Sequence, residues 1–291
     1  MCNVTQVFGL GYISKENTVM KKNRISIILI LILITGSFLL LYPSVKGYYN
    51  SMRQSQEVIS YAEQVDGLTN EEYEALWDAA DAYNKTLSKG VERFLFSETD
   101  AKEYNQLLNI SGEGIMAYIE IPGFSNALPI YHGTSEDVLN NGIGHLQGSS
   151  LPIGGKGSHC VLYGNRGLPN AKLFFDLENL EEKDVFMIRT LDTTLTYVVD
   201  QIRIVLPHEI NDIEIVKDED LCTLVTSVAD SDHTHRLLVR GHRVENIENT
   251  YDVRITADAV QLDTLIVAQV LAILVLLLFL VWIMVYYRKR R

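Results

Sequence analysis

The sequence predicts a mainly β domain, a closed barrel or sandwich, that follows a helical region and lies between two transmembrane helices. Three patterns predict this fold: two long apolar runs near the ends of the 291 residues, strong helix formers after the first run, and period-two alternation from about residue 114. The predicted regions are 1–24 (cytoplasmic), 25–42 (transmembrane), 43–108 (extracellular helical and lid region), 109–263 (β domain), 264–287 (transmembrane) and 288–291 (basic cytoplasmic tail).

The composition argues against several classes of protein. The chain has 25 basic and 37 acidic residues, a formal net charge of -12, whereas a nucleic-acid-binding protein presents a basic face. Three cysteines are too few for a disulfide-dense scaffold or a cysteine-rich zinc module. Hydrophobic residues make up 47% of the chain, which is enough for a core and argues against disorder.

The two apolar runs also predict the orientation of the chain in a membrane. The first run carries no charge, and Gln269 is the one strongly polar residue of the second. Basic residues flank both runs on their outer sides: Lys21, Lys22, Arg24 and 288–291. The positive-inside rule therefore predicts a two-pass protein of the cell membrane, with both termini in the cytoplasm and the domain outside. The outer region has 17 basic and 36 acidic residues, a formal charge of -19.

Two alternatives stay open at the N-terminus. The first run would also suit a cleaved signal peptide, although no small-residue cleavage pattern follows Tyr42. Met20 directly precedes two lysines and would make a normal start, so that translation from Met20 would leave out residues 1–19.

Residues 43–108 are predicted to be largely helical. Glu71 to Tyr83 combines strong helix formers with apolar positions at spacings of three and four, after an N-cap at Thr69 or Asn70. The segment Leu87–Asp100 is predicted to be a lid or linker, and Tyr104–Leu108 follows it.

Residues 109–263 are predicted to form the β domain. Several segments rich in Val, Ile, Leu and Thr end at turn residues, which is typical of strands. They are Met116–Ile121, Cys160–Tyr163, Asp184–Thr190, Thr194–Leu206, Leu221–Thr226 and Arg236–Val244.

A series of motifs lies in this domain in a fixed order. They are LPIYHG (128–133), GHL (144–146), SLPIGG (150–155), YGNRGLPNAKLF (163–174), TLVTS (223–227) and RLLVRGHR (236–243). Together they closely resemble the class C sortases, the pilin-polymerising transpeptidases of Gram-positive bacteria, and the resemblance runs from the first span through the second. It implies a sortase-like closed β-barrel with short helices and a lid.

The resemblance also implies where the catalytic groups lie, and two of them are changed. The family's nucleophilic cysteine, its histidine and its arginine fall on Ser227, Asn165 and Arg236 of this chain. A serine hydroxyl is a weak nucleophile without an adjacent base, and an asparagine amide does not titrate usefully. The chain is therefore predicted to be a degenerate sortase, a pseudoenzyme without transpeptidase activity.

Three functions follow as hypotheses. The leading one is a membrane-anchored protein of pilus assembly and surface-protein sorting that binds pilin or surface-protein sorting signals, or a partner sortase. The second is an active transpeptidase or hydrolase with Ser227 as nucleophile, for which His233 is the candidate base and a candidate substrate-binding residue beside Arg236. The third is a drifting chain with no remaining role. No cofactor, metal site or nucleic-acid partner is predicted.

The family's lid motif is missing as well. The family places an Asp-Pro-aromatic motif over the nucleophile, whereas this chain has RFLFSE at 93–98. Phe94 or Phe96 could either plug the cleft or face the core, and both alternatives stay open. After Ser227, Asp230 and Asp232 add two carboxylates, which disfavour an anionic nucleophile.

The remaining histidines and cysteines are predicted to have structural roles. His132, His145, His159, His235 and His242 fall where the family pattern also has histidine. Cys160 and Cys222 each precede a changed site position by five residues, on strands that are neighbours in the sortase fold. Buried free thiols are favoured, and a disulfide stays open because the predicted compartment is oxidising.

Overall fold

The computed structural model describes residues 5–87, 91–122, 127–165, 176–228 and 235–246, together with 271–276, 279 and 282. The chain divides into two compact units, one of residues 1–46 with 262–291 and the other of residues 47–261.

Residues 25–42 lie within the first helix, α1 (Thr5–Asp66), and residues 271–276 of the second predicted span are also helical. In the part of the chain that the structure describes, no helix is both long enough and apolar enough to cross a membrane.

Three helical elements follow α1 before the barrel. Helix α2 (Asn70–Thr86) begins at Thr69, whose hydroxyl accepts a hydrogen bond from the Glu72 amide while the Glu72 carboxylate accepts one from the Thr69 amide, a capping box. A 3-10 helix (Val91–Phe94) and helix α3 (Glu98–Tyr104) occupy the segment predicted to be a lid. The capping box at Thr69 confirms the first of the two predicted N-caps of α2.

The barrel contains eight strands and closes in the order β1-β2-β3-β4-β7-β8-β6-β5. The strands are β1 (Ile115–Glu120), β2 (Leu128–His132), β3 (Ile143–His145), β4 (Ser158–Gly164), β5 (Val185–Thr190), β6 (Thr193–Val205), β7 (Asp220–Ser227) and β8 (Arg236–Val244). Helix α4 (Glu136–Asn141) and two 3-10 helices, Asp176–Asn179 and Asn211–Ile213, lie in the connections. The prediction of a closed, mainly β barrel with short helices is confirmed.

Alternation along the strands separates two apolar clusters. Cys160, Leu162 and Leu224 belong to the main core inside the barrel, whereas Val161 and Val225 belong to a second cluster. Because successive side chains of a strand point to opposite faces, the second cluster lies on the outer face of β4 and β7. This outer face carries the candidate site.

The end of α1 packs on the barrel through its aromatic and amide side chains. The Tyr61 hydroxyl donates to the Met116 carbonyl at 2.9 Å and accepts from the Leu191 amide at 2.9 Å. Gln54 donates to the Asn141 carbonyl at 2.6 Å. These bonds join the helical region to the barrel within the 47–261 unit.

Candidate functional site

The strand register brings Asn165, Ser227 and Arg236 to the same end of the barrel. Strands β4 and β7 are parallel with Tyr163 opposite Val225, and Asn165 and Ser227 each follow two residues later. Ser227 is the Cα partner of Arg236 across the antiparallel β7–β8 pair. The geometry therefore groups the three residues that the family resemblance singled out.

The three residues also share one face of the sheet. Ser227 lies two residues after Val225, and Arg236 lies two residues before Leu238, so each side chain points to the same face as that apolar residue. Val225 and Leu238 belong to the second cluster, here called the outer cluster. Asn165 continues the alternation of Val161 in the same way. Ser227, Arg236 and Asn165 are all half-buried.

The polar groups at this end cannot replace a thiolate and an imidazolium. A hydroxyl and an amide both remain neutral near pH 7, while the Arg236 guanidinium stays charged. Burial raises the pKa of Tyr163, and the nearby positive charge of Arg236 opposes that shift. The site can thus donate hydrogen bonds to a carbonyl or carboxylate, but these three side chains supply no proton acceptor for Ser227.

Other predicted site residues fall beyond the structural description. His233, Asp230 and Asp232 lie outside the described residues. His235 is described, and its carbonyl accepts hydrogen bonds from the Val228 amide at 3.2 Å and from Arg236 Nη1 at 3.4 Å. The backbone of His235 therefore extends the ladder that supports Arg236.

A buried apolar cluster, the second cluster described above, lies on the outer face next to this end. We call this outer cluster, with the residues packed against it, the groove; β4, β6, β7, β8 and the β6–β7 connection contribute to it. Its members are Val161, Val205, Ile213, Val225 and Leu238, with Phe94, Leu146, Tyr163 and Ile210 packed against them. Its five members are at most 6% exposed, so the groove is covered in this structure.

The 3-10 helix Val91–Phe94, here called the strap, covers part of the groove. Phe94 packs into the outer cluster, and the Arg93 guanidinium stacks over the Phe94 ring, 4.7 Å from its centroid. Arg93 is 6% exposed, and its Nη2 donates to the Ile213 carbonyl at 2.7 Å. Phe96 is 42% exposed, so Phe94 is the aromatic residue that occupies the groove.

The Arg93 guanidinium is buried, but only part of it is hydrogen-bonded within the part of the chain that the structure describes. Its Nε and Nη1 have no hydrogen-bond partner among the described residues, and burial lowers the pKa of the guanidinium. Gly148 makes room for the strap, since a Cβ at that position would lie 2.3 Å from the Arg93 carbonyl oxygen. No local sequence pattern indicates this role of Arg93, because its contacts with Ile213 and Gly148 join residues more than fifty positions apart in the chain.

His159 lies on the same outer face and is fully bonded. Its Nδ1 donates to the Glu214 carbonyl at 2.8 Å, and its Nε2 lies 2.7 Å from the Thr223 hydroxyl. Burial lowers the pKa of His159 to about 4, so the ring is neutral at physiological pH. His145 and His132 are also buried and hydrogen-bonded, which agrees with the predicted structural roles.

The chain resembles known proteins in sequence and fold. A family model described as "Sortase domain" matches residues 119–244. The structure of sortase C1 from Streptococcus agalactiae is 44% identical, and the match covers 66% of this chain and 100% of that chain with a TM-score of 0.63. A Streptococcus pneumoniae sortase C is 36% identical over 66% of this chain and 97% of that chain, with a TM-score of 0.59.

A third structure contains a peptide motif. It is sortase C of Clostridium perfringens with the C-terminal cell wall sorting motif, which is 39% identical over 66% of this chain and 99% of that chain, with a TM-score of 0.55. None of the curated protein sequences compared with the chain matched it.

Proposed function

This chain belongs to the sortase family, and from that premise we propose that it binds sorting-signal peptides in the groove without transferring them. One observation carries the proposal: the register places Asn165 and Ser227 level with Arg236 beside the groove, where the family has histidine, cysteine and arginine. The arginine is kept as Arg236, whereas the thiol and the imidazole are replaced.

The chemistry explains why binding and transfer would separate. In a sortase the thiolate attacks the peptide carbonyl, and the imidazolium then protonates the leaving amine. A serine hydroxyl is a weak nucleophile without an adjacent base, and Asn165 carries no transferable proton, so acylation loses both of its partners. Arg236 can still donate hydrogen bonds to a peptide carbonyl.

The groove suits the peptide class. A Leu-Pro-x-Thr-Gly-type signal carries apolar leucine and proline side chains shortly before the carbonyl that sortases attack. When the strap moves aside, the groove would offer aliphatic side chains next to Ser227. The related C. perfringens sortase C is described with a cell wall sorting motif. By analogy, we infer that pilin or surface-protein signals are the partners of this chain, and a partner sortase is the other candidate.

We also infer that the chain acts at the outer face of the cell membrane. The support comes from the sequence: the apolar runs 25–42 and 264–287, and the basic residues on their outer sides. In that arrangement the acidic domain faces the cell exterior, where sorting signals arrive.

A binding experiment with the full chain in detergent micelles tests the proposal. A fluorescent Leu-Pro-x-Thr-Gly-type peptide is expected to bind saturably, a scrambled peptide is expected not to bind, and Arg236→Ala should weaken binding. No saturable binding at millimolar peptide would overturn the proposal. An acyl adduct on Ser227, absent in Ser227→Ala, would instead establish the alternative of an active serine enzyme.

A further inference from the structure

Two cysteines face each other inside the barrel, away from the groove. Cys160 on β4 and Cys222 on β7 are Cα partners in the parallel pair. They are 2% and 0% exposed, and both belong to the main core cluster, so both side chains point to the inner face. Both thiols are free.

Their backbone positions suit a disulfide. Neighbouring strands lie about 4.8 Å apart, and bridged cysteines usually have Cα atoms about 4.4–6.8 Å apart. The side chains leave adjacent strands at paired positions and on the same face of the sheet. A bridge therefore needs rotation of two side chains and no change of strand register.

A histidine also lies next to the pair inside the barrel. Burial opposes ionisation of Cys160, but hydrogen bonds with Cys222 and His145 lower the pKa of its thiol. Burial raises the pKa of Cys222 well above its usual value. His145 is held by the Tyr104 hydroxyl at 2.8 Å and the Ser150 carbonyl at 2.9 Å, which fixes its ring beside the sulfur atoms.

We propose that Cys160 and Cys222 form an intrachain disulfide when the chain folds in the presence of a disulfide oxidant. The thiolate of one cysteine attacks the oxidant's disulfide and releases one oxidant thiolate, which leaves a mixed disulfide. The thiolate of the other cysteine then attacks the sulfur of the first and releases the second oxidant thiolate. Two protons and two electrons leave the chain, and the oxidant's disulfide is reduced to two thiols. Because both thiols are buried in the closed barrel, the exchange occurs before the barrel closes.

The bridge would clamp the two strands that carry Asn165 and Ser227. Each cysteine lies five residues before one of these positions, so the bridge fixes β4 against β7 close to the site. Closing a loop of about 60 residues is expected to raise the melting temperature by about 10 °C. An oxidising location follows from the proposed function, but the test below also works on protein refolded in vitro.

Mass spectrometry of the full chain tests the proposal. One sample is exported by the host and purified without reductant, and a second is refolded with oxidised and reduced glutathione. Each is denatured, alkylated and digested, with a reduced aliquot as reference. We expect a linked Cys160–Cys222 peptide in at least the refolded sample. Alkylated Cys160 and Cys222 in both samples would overturn the proposal and would leave the peptide-binding function untouched.

Matched variants keep the test independent of stability. In Cys160→Ser the remaining Cys222 should become alkylatable without reductant, and in Cys222→Ser the same should hold for Cys160. Reduction should lower the melting temperature of the wild type and should not change that of the Cys160→Ala/Cys222→Ala double variant. An equal effect of reductant on both proteins would contradict the bridge. If a variant does not fold, peptide mapping of the wild type still decides the question.

Discussion

Replacing Phe94 by alanine is expected to open the groove to peptide. Phe94 fills the outer cluster beside Val225 and Leu238, and an incoming peptide must displace it. A fully buried phenylalanine costs about 3–5 kcal/mol when it is truncated to alanine. Phe94 is only half-buried, so we expect about 1–2 kcal/mol of strap closure to be lost.

This loss translates into affinity because only the open strap binds. If the closed strap dominates in the free protein, its destabilisation raises the apparent affinity roughly 5- to 30-fold. Fluorescence anisotropy with the labelled sorting-signal peptide measures the change on the full chain. Phe96→Ala is the matched control, because this substitution also removes a phenyl ring, and Phe96 is 42% exposed and lies outside the groove.

Two results would refute this reasoning. Equal affinities of wild type and Phe94→Ala would mean that the strap does not compete with peptide. An equal gain in Phe96→Ala would mean that any loosening of residues 91–96 suffices, and that the contact of Phe94 with the groove is not the cause.

The remaining predictions concern His159 and Gly148. Folding lowers the pKa of His159 to about 4, so below about pH 6.5 this histidine is protonated more readily in the unfolded chain than in the folded one. The contribution of His159 to the free energy of unfolding should therefore be full above pH 6.5 and fall by about 3 kcal/mol toward pH 4. Urea unfolding should show that the free energy of unfolding falls less between pH 7.5 and pH 4.5 in His159→Gln than in the wild type. Equal decreases in both proteins would contradict the role of His159. Gly148→Ala should push the strap away, since its Cβ would meet the Arg93 carbonyl, and should raise peptide affinity. Gly155→Ala is the control: Gly155 also has a positive φ, but a Cβ added there would meet no atom within 4 Å, so the substitution should lower stability without changing peptide affinity. The same affinity change in both variants would refute the steric explanation.

Much of the fold could be predicted because its signals are local. The long strands β6 and β8 show period-two apolar patterns, and the N-cap at Thr69 follows from side-chain chemistry. Strands β2 and β3 were not identified as strands, since five and three residues carry too little periodicity. They pair in parallel through the short connection that contains α4.

The candidate site was predictable in part. The family resemblance implied that the strands of Cys160 and Cys222 are neighbours, and the register confirms this adjacency. The strap was not predictable in detail, because Arg93 binds a carbonyl 120 residues later in the chain. No local pattern encodes such a contact, and the altered lid motif left the position of Phe94 open.

The central claim is that this sortase scaffold retains its binding arrangement although the family's thiol, imidazole and lid motif are replaced. Intact-mass spectrometry with the sorting-signal peptide tests it on the wild type and on the Ser227→Cys/Asn165→His double variant, with each single variant as control. We predict no covalent adduct on the wild type, and on the double variant a thioacyl adduct at position 227 with release of the C-terminal glycine-bearing fragment. An ester adduct at Ser227 of the wild type would contradict the claim. So would peptide binding by the double variant without any adduct, because the arrangement would then not be that of a sortase.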